Sequence, residues 1–153
     1  MKTKNNSSAK DLMPQLHLDS QLCFALYSTS LAMTKVYKPL LAELELTYPQ
    51  YVVMLVLWEN DGLMVSEIGE RLFLDSGTLT PLLKRLESGG FITRVRDTAD
   101  ERRVHIKLTA AGRTLKKKAG KIPACLVTLL QCDVKEILSL TQDLKTLRER
   151  LMA

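Results

Sequence analysis

The stretch Leu74-Asp75-Ser76-Gly77-Thr78-Leu79-Thr80-Pro81-Leu82-Leu83-Lys84-Arg85-Leu86 decides how this chain is read. Asp75 or Ser76 offers a side-chain oxygen to the free N–H groups of a helix start, and Leu79, Leu82, Leu83 and Leu86 recur at three- and four-residue steps up to a Gly89-Gly90 stop. Pro81 removes the amide bond to Gly77 and presses on that carbonyl, so a local kink is expected in a helix whose apolar stripe continues past it. Just upstream, after the turn Asn60-Asp61-Gly62, Val65, Ile68 and Leu72 form the inward side of a short helix. Just downstream, Phe91 to Arg96 and Val104 to Leu108 alternate around the polar turn Asp97 to Arg102, the pattern of a β-hairpin. Short helix, tight turn, second helix and hairpin, in that order, describe a winged helix-turn-helix, a module that reads DNA.

Further out, Thr47-Tyr48-Pro49 breaks the chain and opens a second helix, with Pro49 in the first turn where its missing N–H costs nothing. That helix is apolar on most sides from Tyr51 to Trp58, so it belongs inside. A long first helix from Leu18 to near Leu44 carries Leu22, Ala25, Leu26, Thr29, Met33, Val36 and Leu40 on one face. A fifth helix is expected from Ala110 to about Leu130, and a sixth through Val134, Ile137, Leu138, Thr141, Leu144, Leu147 and Leu151. The predicted fold is mostly α with a small β-hairpin wing. Residues 1–17 read as a disordered tail, 18–46 and 110–153 as a helical dimerisation region, and 47–109 as the winged DNA-binding domain. The terminal helices carry apolar faces that so small a winged module leaves uncovered, and a second copy of the chain covers them most economically.

The 153 residues are 46% hydrophobic and 25% charged, enough for one core. The longest apolar run, Val52 to Trp58, falls far short of the roughly 18 to 20 residues that span a bilayer, and the polar stretch Met1 to Asp11 lacks the apolar centre of a secretory signal. A cytoplasmic protein with no membrane partner is expected. The net charge of +5 is unevenly placed: from Lys84 to Lys121 there are 12 basic and four acidic residues, so that segment is +8 and the rest of the chain −3. The positive field covers the end of the second helix of the motif, the wing and the helix behind it, the surfaces such a module lays on phosphates. Ser76, Thr78 and Thr80 are the candidates for base edges or phosphates in a major groove, and Lys84 and Arg85, a turn later, for the sugar–phosphate backbone. Arg94, Arg96, Arg102 and Arg103 add the wing's cations, with Asp100 beside them, whereas Lys116 to Lys118 read as a solvated face.

Cys23, Cys125 and Cys132 are an odd number with no CxxC pair, so neither a complete disulfide framework nor a zinc site is suggested, and no metal or cofactor is expected. Cys23 is either a packed thiol or a reactive one. A free thiol titrates near about 8.5, so reactivity at neutral pH needs donors or positive charge around it. Tyr37 and Tyr48 are neutral donors that only folding or dimerisation brings to Cys23. A thiol enzyme such as a peroxidase finds no further support: His17 and His105 are in no evident Cys-His arrangement, and there is no phosphate loop.

Four stretches, Leu18-Asp19-Ser20-Gln21-Leu22-Cys23-Phe24-Ala25-Leu26-Tyr27, Thr47-Tyr48-Pro49-Gln50-Tyr51, Leu74 to Leu86, and Asp100-Glu101-Arg102-Arg103, resemble the MarR family of winged-helix regulators, and within it the organic-hydroperoxide-sensing repressors. The resemblance runs from about Leu18 to the last helix. It implies a homodimer with interlocked terminal helices and two winged modules set for successive major grooves of a pseudo-palindromic double-stranded operator, with half-sites about 34 Å apart. It also implies that Cys23 is the peroxide-reactive cysteine, that Tyr37 and Tyr48 hydrogen-bond it with one of them from the other subunit, and that Arg102 enters the minor groove from the wing tip with Asp100 holding it. Oxidation to a sulfenic acid and condensation with a second thiol then move the wings apart. Some family members use a small external thiol for that step and others a distal cysteine of the partner near the end of helix five. Here Thr128 lies between Cys125 and Cys132; Cys132 is preferred because a helix junction yields more easily than a helix interior, and Cys125 stays open. A competing reading within the family is a repressor released by a lipophilic or phenolic ligand held between dimer and wing domains, with Cys23 merely buried.

Overall fold

A 3-10 turn at Leu18–Ser20 leads into α1 (Leu22–Ala42), α2 (Tyr48–Glu59), α3 (Val65–Leu72) and α4 (Ser76–Ser88), then β1 (Ile92–Arg96) and β2 (Val104–Leu108), then α5 (Ala110–Ala119), α6 (Ile122–Leu130) and α7 (Val134–Met152). The computed structural model describes residues 16–153. The tail expected at 1–17 therefore lies outside the described residues as far as position 15, while the carbonyl of His17 already accepts the amide of Ser20 in the 3-10 turn.

Local chemistry sets the boundaries. Thr47 caps α2 in a capping box with Gln50, Asp75 takes the amide of Thr78 to start α4, Thr109 takes that of Gly112 to start α5, and Asp133 forms a capping box with Glu136 at the start of α7. α4 stops as the glycine pair predicts: Gly90 adopts φ +80°, its amide reaches the Glu87 carbonyl, and the amide of Phe91 reaches that of Leu86. α4 also continues past Pro81 without a break.

Two helices depart from expectation. The first begins at Leu22 rather than Leu18, after the 3-10 turn. The single fifth helix is two helices, because Pro123 has no N–H to give the carbonyl of Ala119 and its ring crowds that carbonyl, so α5 ends at Ala119 and Pro123 sits in the first turn of α6.

β1 and β2 pair antiparallel, Ile92 opposite Leu108 and Arg96 opposite Val104. One buried cluster joins α2 to the wing: Met54, Leu57, Ile68, Leu79, Leu83, Leu86, Ile92 and Ile106 all lie in it, with Leu41 and Leu44 from the end of α1 and Ile122 from the start of α6. Gly112 is required where α5 crosses the wing, since a Cβ there would run into the Phe91 carbonyl; the Gly112 carbonyl in turn accepts the indole N–H of Trp58 at 2.9 Å. By contrast α7 buries none of its residues and α1 buries only Leu41. Among the described residues no helix is long and apolar enough to cross a membrane.

Candidate nucleic-acid interface and thiol site

α4 buries Leu79, Leu82, Leu83 and Leu86 and turns Ser76, Thr78, Lys84 and Arg85 outward, with Thr80 half-buried at the margin. The Asp75 carboxylate accepts the Thr78 amide at 2.7 Å and the Thr78 hydroxyl as well, which holds Asp75 below its ordinary range and anchors the first turn. Gly77, Pro81 and Lys84 follow one another at helical spacing on the outermost line of α4, so the exposed ridge is shallow before it turns cationic.

The wing places its arginines unequally. The Arg94 Nε lies 2.9 Å from Glu87 at the end of α4, while Arg96, Arg102 and Arg103 are exposed. Asp100, which the resemblance sets to hold Arg102, meets it at the backbone and not at the guanidinium. Its carboxylate accepts the backbone amide of Arg102 at 3.1 Å and lies 3.6 Å from the Nε of Arg103. The reason is the turn itself: the Arg103 amide closes onto the Asp100 carbonyl at 2.9 Å, which folds the carboxylate back over the amide two residues on. Arg102 is therefore shaped through its backbone, and its guanidinium has no partner among the described residues.

Three residues behind the wing escaped the sequence reading. Asp61, taken there only as part of a turn, accepts the amides of Gly62 and Leu108 at 2.8 Å each and lies 3.6 Å from Arg113. Asp97 closes the wing loop, donating its amide to the Arg103 carbonyl at 2.9 Å and accepting that of Ala99 at 2.8 Å, and its second carboxylate oxygen meets the Nε2 of His105 at 3.1 Å. The signal for this pair was an acid just after β1 and a histidine in β2, across the hairpin from one another.

Cys23 is exposed in the first turn of α1, and no hydrogen bond reaches its sulfur among the described residues. Tyr37 and Tyr48 lie together elsewhere, their ring centroids 4.8 Å apart, with Tyr51 at 5.9 Å from Tyr37 and 6.3 Å from Tyr48. Burial, then the neighbouring Tyr48 and Tyr51, push Tyr37 up to about 12, so at neutral pH it is a phenol and a donor. With Leu26, Ser30, Thr34 and Leu144 the two tyrosines line a cavity of about 490 Å³. Tyr37 is on the same helix as Cys23, and at 1.5 Å per residue it stands about 21 Å further along. One subunit thus brings the tyrosines to each other and not to the thiol. Cys125 is half-buried in the first turns of α6; Cys132 is exposed in the link between α6 and α7, with its sulfur 3.3 Å from the Leu130 carbonyl. The described residues hold no cluster of three metal-ligating side chains.

A family profile described as transcriptional regulator SarA/Rot matches residues 35–119. The organic hydroperoxide resistance transcriptional regulator of Bacillus subtilis (strain 168) is 51% identical over 136 residues, covering 89% of this chain and 92% of its own. The chain belongs to the MarR and SarA/Rot type of winged-helix transcriptional regulators. The regulator is also 54% identical over 136 residues to the HTH-type transcriptional regulator TtmR of Methylorubrum extorquens (strain PA1), covering 89% of this chain and 70% of that one. Its fold matches that of reduced AbfR bound to DNA, from Staphylococcus epidermidis, with a TM-score of 0.71 and 33% identity over 94% of this chain and 98% of the other. The basic wing and the exposed face of α4 are thus parts of a DNA-binding regulator.

Proposed function

We propose that this regulator is a redox-responsive homodimeric repressor that leaves its operator when an organic hydroperoxide oxidises Cys23. The carrying observation is the separation within one subunit: Cys23 stands about 21 Å from Tyr37 along α1, and Tyr48 is packed on Tyr37. Donors for the thiolate therefore come from a second copy, and both come from it together rather than one from each. Two α1 helices crossing antiparallel about a two-fold axis set each Cys23 over the tyrosine-lined cavity of the other subunit. The uncovered faces of α1 and α7 support the same pairing.

Two phenolic O–H groups hold Cys23 as a thiolate. It attacks the terminal oxygen of the hydroperoxide; an S–O bond forms, the O–O bond breaks, and the alkoxide takes a proton from water to leave as the alcohol. A second thiol then attacks the sulfenic sulfur, forming a disulfide and releasing water. Cys132 of the partner subunit is the proposed second thiol, supported by its exposure in a helix link, and half-buried Cys125 is the alternative. With the thiolate gone the tyrosine bonds no longer hold, and the helices that carry the two heads shift. On DNA, Ser76, Thr78 and Thr80 face base edges, Lys84, Arg85, Arg94, Arg96 and Arg103 face phosphates, and Arg102 enters the minor groove.

Titrating the operator complex with an organic hydroperoxide tests the reading. The wild type releases DNA and Cys23→Ser holds it at every peroxide concentration. Release from Cys23→Ser would sink the thiol mechanism and point instead to a lipophilic or phenolic ligand, for which the 490 Å³ cavity is the candidate seat. Turnover of peroxide at catalytic protein would make the chain a thiol peroxidase.

A further inference from the structure

His105 joins three parts of the reading head. Its backbone lies in β2 opposite Val95 and bridges to Met64 just before α3, and the next amide, of Ile106, donates to the Leu63 carbonyl at 2.8 Å. Its ring spans the same gap: Nδ1 is 3.1 Å from the Gly62 carbonyl and Nε2 is 3.1 Å from the Asp97 carboxylate. Both neighbours are acceptors only. A neutral imidazole has one N–H, so it satisfies one of them and turns a lone pair on the other; an imidazolium donates to both.

We propose that His105 is the positioning residue of the wing, and that it holds the wing to the head as an imidazolium clasped between Asp97 and the Gly62 carbonyl. The inference rests on the wing's contact with DNA proposed above and adds to it a dependence on pH. Asp97 is the link to function. It closes the loop through the Arg103 carbonyl, and so fixes where Arg102 and Arg103 are presented.

The surrounding charges favour the cation on balance. The hydrogen bond to Asp97 comes first in raising the His105 value above 6.5, followed by the Gly62 carbonyl, and Asp97 and Glu67 of α3 add attraction; partial desolvation opposes them. Arg96 and Lys107 line the same depression and are the cations that face it. A value raised in the folded wing means that the clasp is complete below about 6.5 and is lost as pH rises through the folded value. Asp97 is held below the ordinary carboxylate range by the Ala99 amide and by His105, so its end of the clasp outlasts mild acid. Alkali, not mild acid, opens the clasp.

The test uses the full-length reduced protein at constant ionic strength. Operator affinity of the wild type falls by about three- to tenfold between about pH 6 and about pH 8, on the scale of a tenfold change per pKa unit, whereas His105→Gln, which keeps one donor but does not titrate, shows a flatter profile. Asp97→Asn flattens it as well. Nitrogen NMR of the wild-type imidazoles shows both His105 ring nitrogens protonated at about pH 6, with a midpoint above the ordinary 6.5. Parallel pH profiles for wild type and His105→Gln, or a neutral tautomer of His105 at about pH 6, overturn the proposal. Loss of operator binding at every pH in the wild type would instead overturn the DNA-contact reading on which it rests.

Discussion

The reading head and the terminal helices are built on opposite principles. From α2 to β2 most apolar side chains are buried in or packed against one core, and the wing is tied down by Asp61, Asp97 and His105. α7 buries nothing, and leucines such as Leu138 and Leu140 are more than half exposed. A head of this kind is finished as a monomer. A 19-residue helix with an apolar face left in water is half of something. The proposed signal and readout are divided along the same line: Cys23 sits on the unfinished part and the arginines on the finished part, and the proposed dimer is what would connect them.

Leu138→Glu strikes hardest at that division. Leu138 is exposed in the free subunit, so the head keeps its fold, but a charge on the pairing face separates the dimer. Operator affinity then falls by about a hundredfold or more, because two linked half-sites bind about 10²–10⁴ more tightly than one. Sedimentation beside an operator shift assay measures both, and a dimer that survives would mean α7 is not the pairing surface. Arg102→Ala is next, acting on the finished part alone. Affinity falls by about tenfold, while the salt dependence, about 0.9 log unit per log unit of salt for each phosphate contact, stays with the phosphate-facing cations. An unchanged affinity would remove Arg102 from the interface. The smallest effect belongs to Glu87→Gln, which releases Arg94 from an exposed ion pair: stability changes by less than about 1 kcal/mol, as such pairs allow, while operator affinity rises about twofold. A fall in affinity would show that Glu87 aims Arg94 rather than occupying it.

Much of the head was legible because its signals are local. The leucine spacing of α4, the Asp75 cap, the Gly89-Gly90 stop and the alternation of the hairpin each act over a few residues, and the structure follows them. The break between α5 and α6 was equally local, since Pro123 forbids a continuous helix, but the apolar pattern running across it hid the stop. The roles of Asp61, Asp97 and His105 were not legible. Their bonds reach from β2 back to the α2–α3 turn, across 43 residues between His105 and Gly62, and no periodicity announces a contact of that span. The wing acid shows the same limit in miniature: Asp100 was expected to hold Arg102, and only the geometry of its turn shows the contact to be through the backbone amide.

The order of the elements, the placing of the +8 segment on the wing and its flanks, and the isolation of Cys23 among three thiols are written in the chain alone. They depend on spacing, capping and charge counts, which are properties of neighbours along the chain. Tertiary packing was needed to set Tyr37 and Tyr48 against each other and far from Cys23, and to face His105 with two acceptors at once. Both follow from how rigid elements meet. A helix keeps residues 23 and 37 apart by its rise, the cap at Thr47 folds Tyr48 back on Tyr37, and the hairpin register carries His105 to the turn beneath the wing.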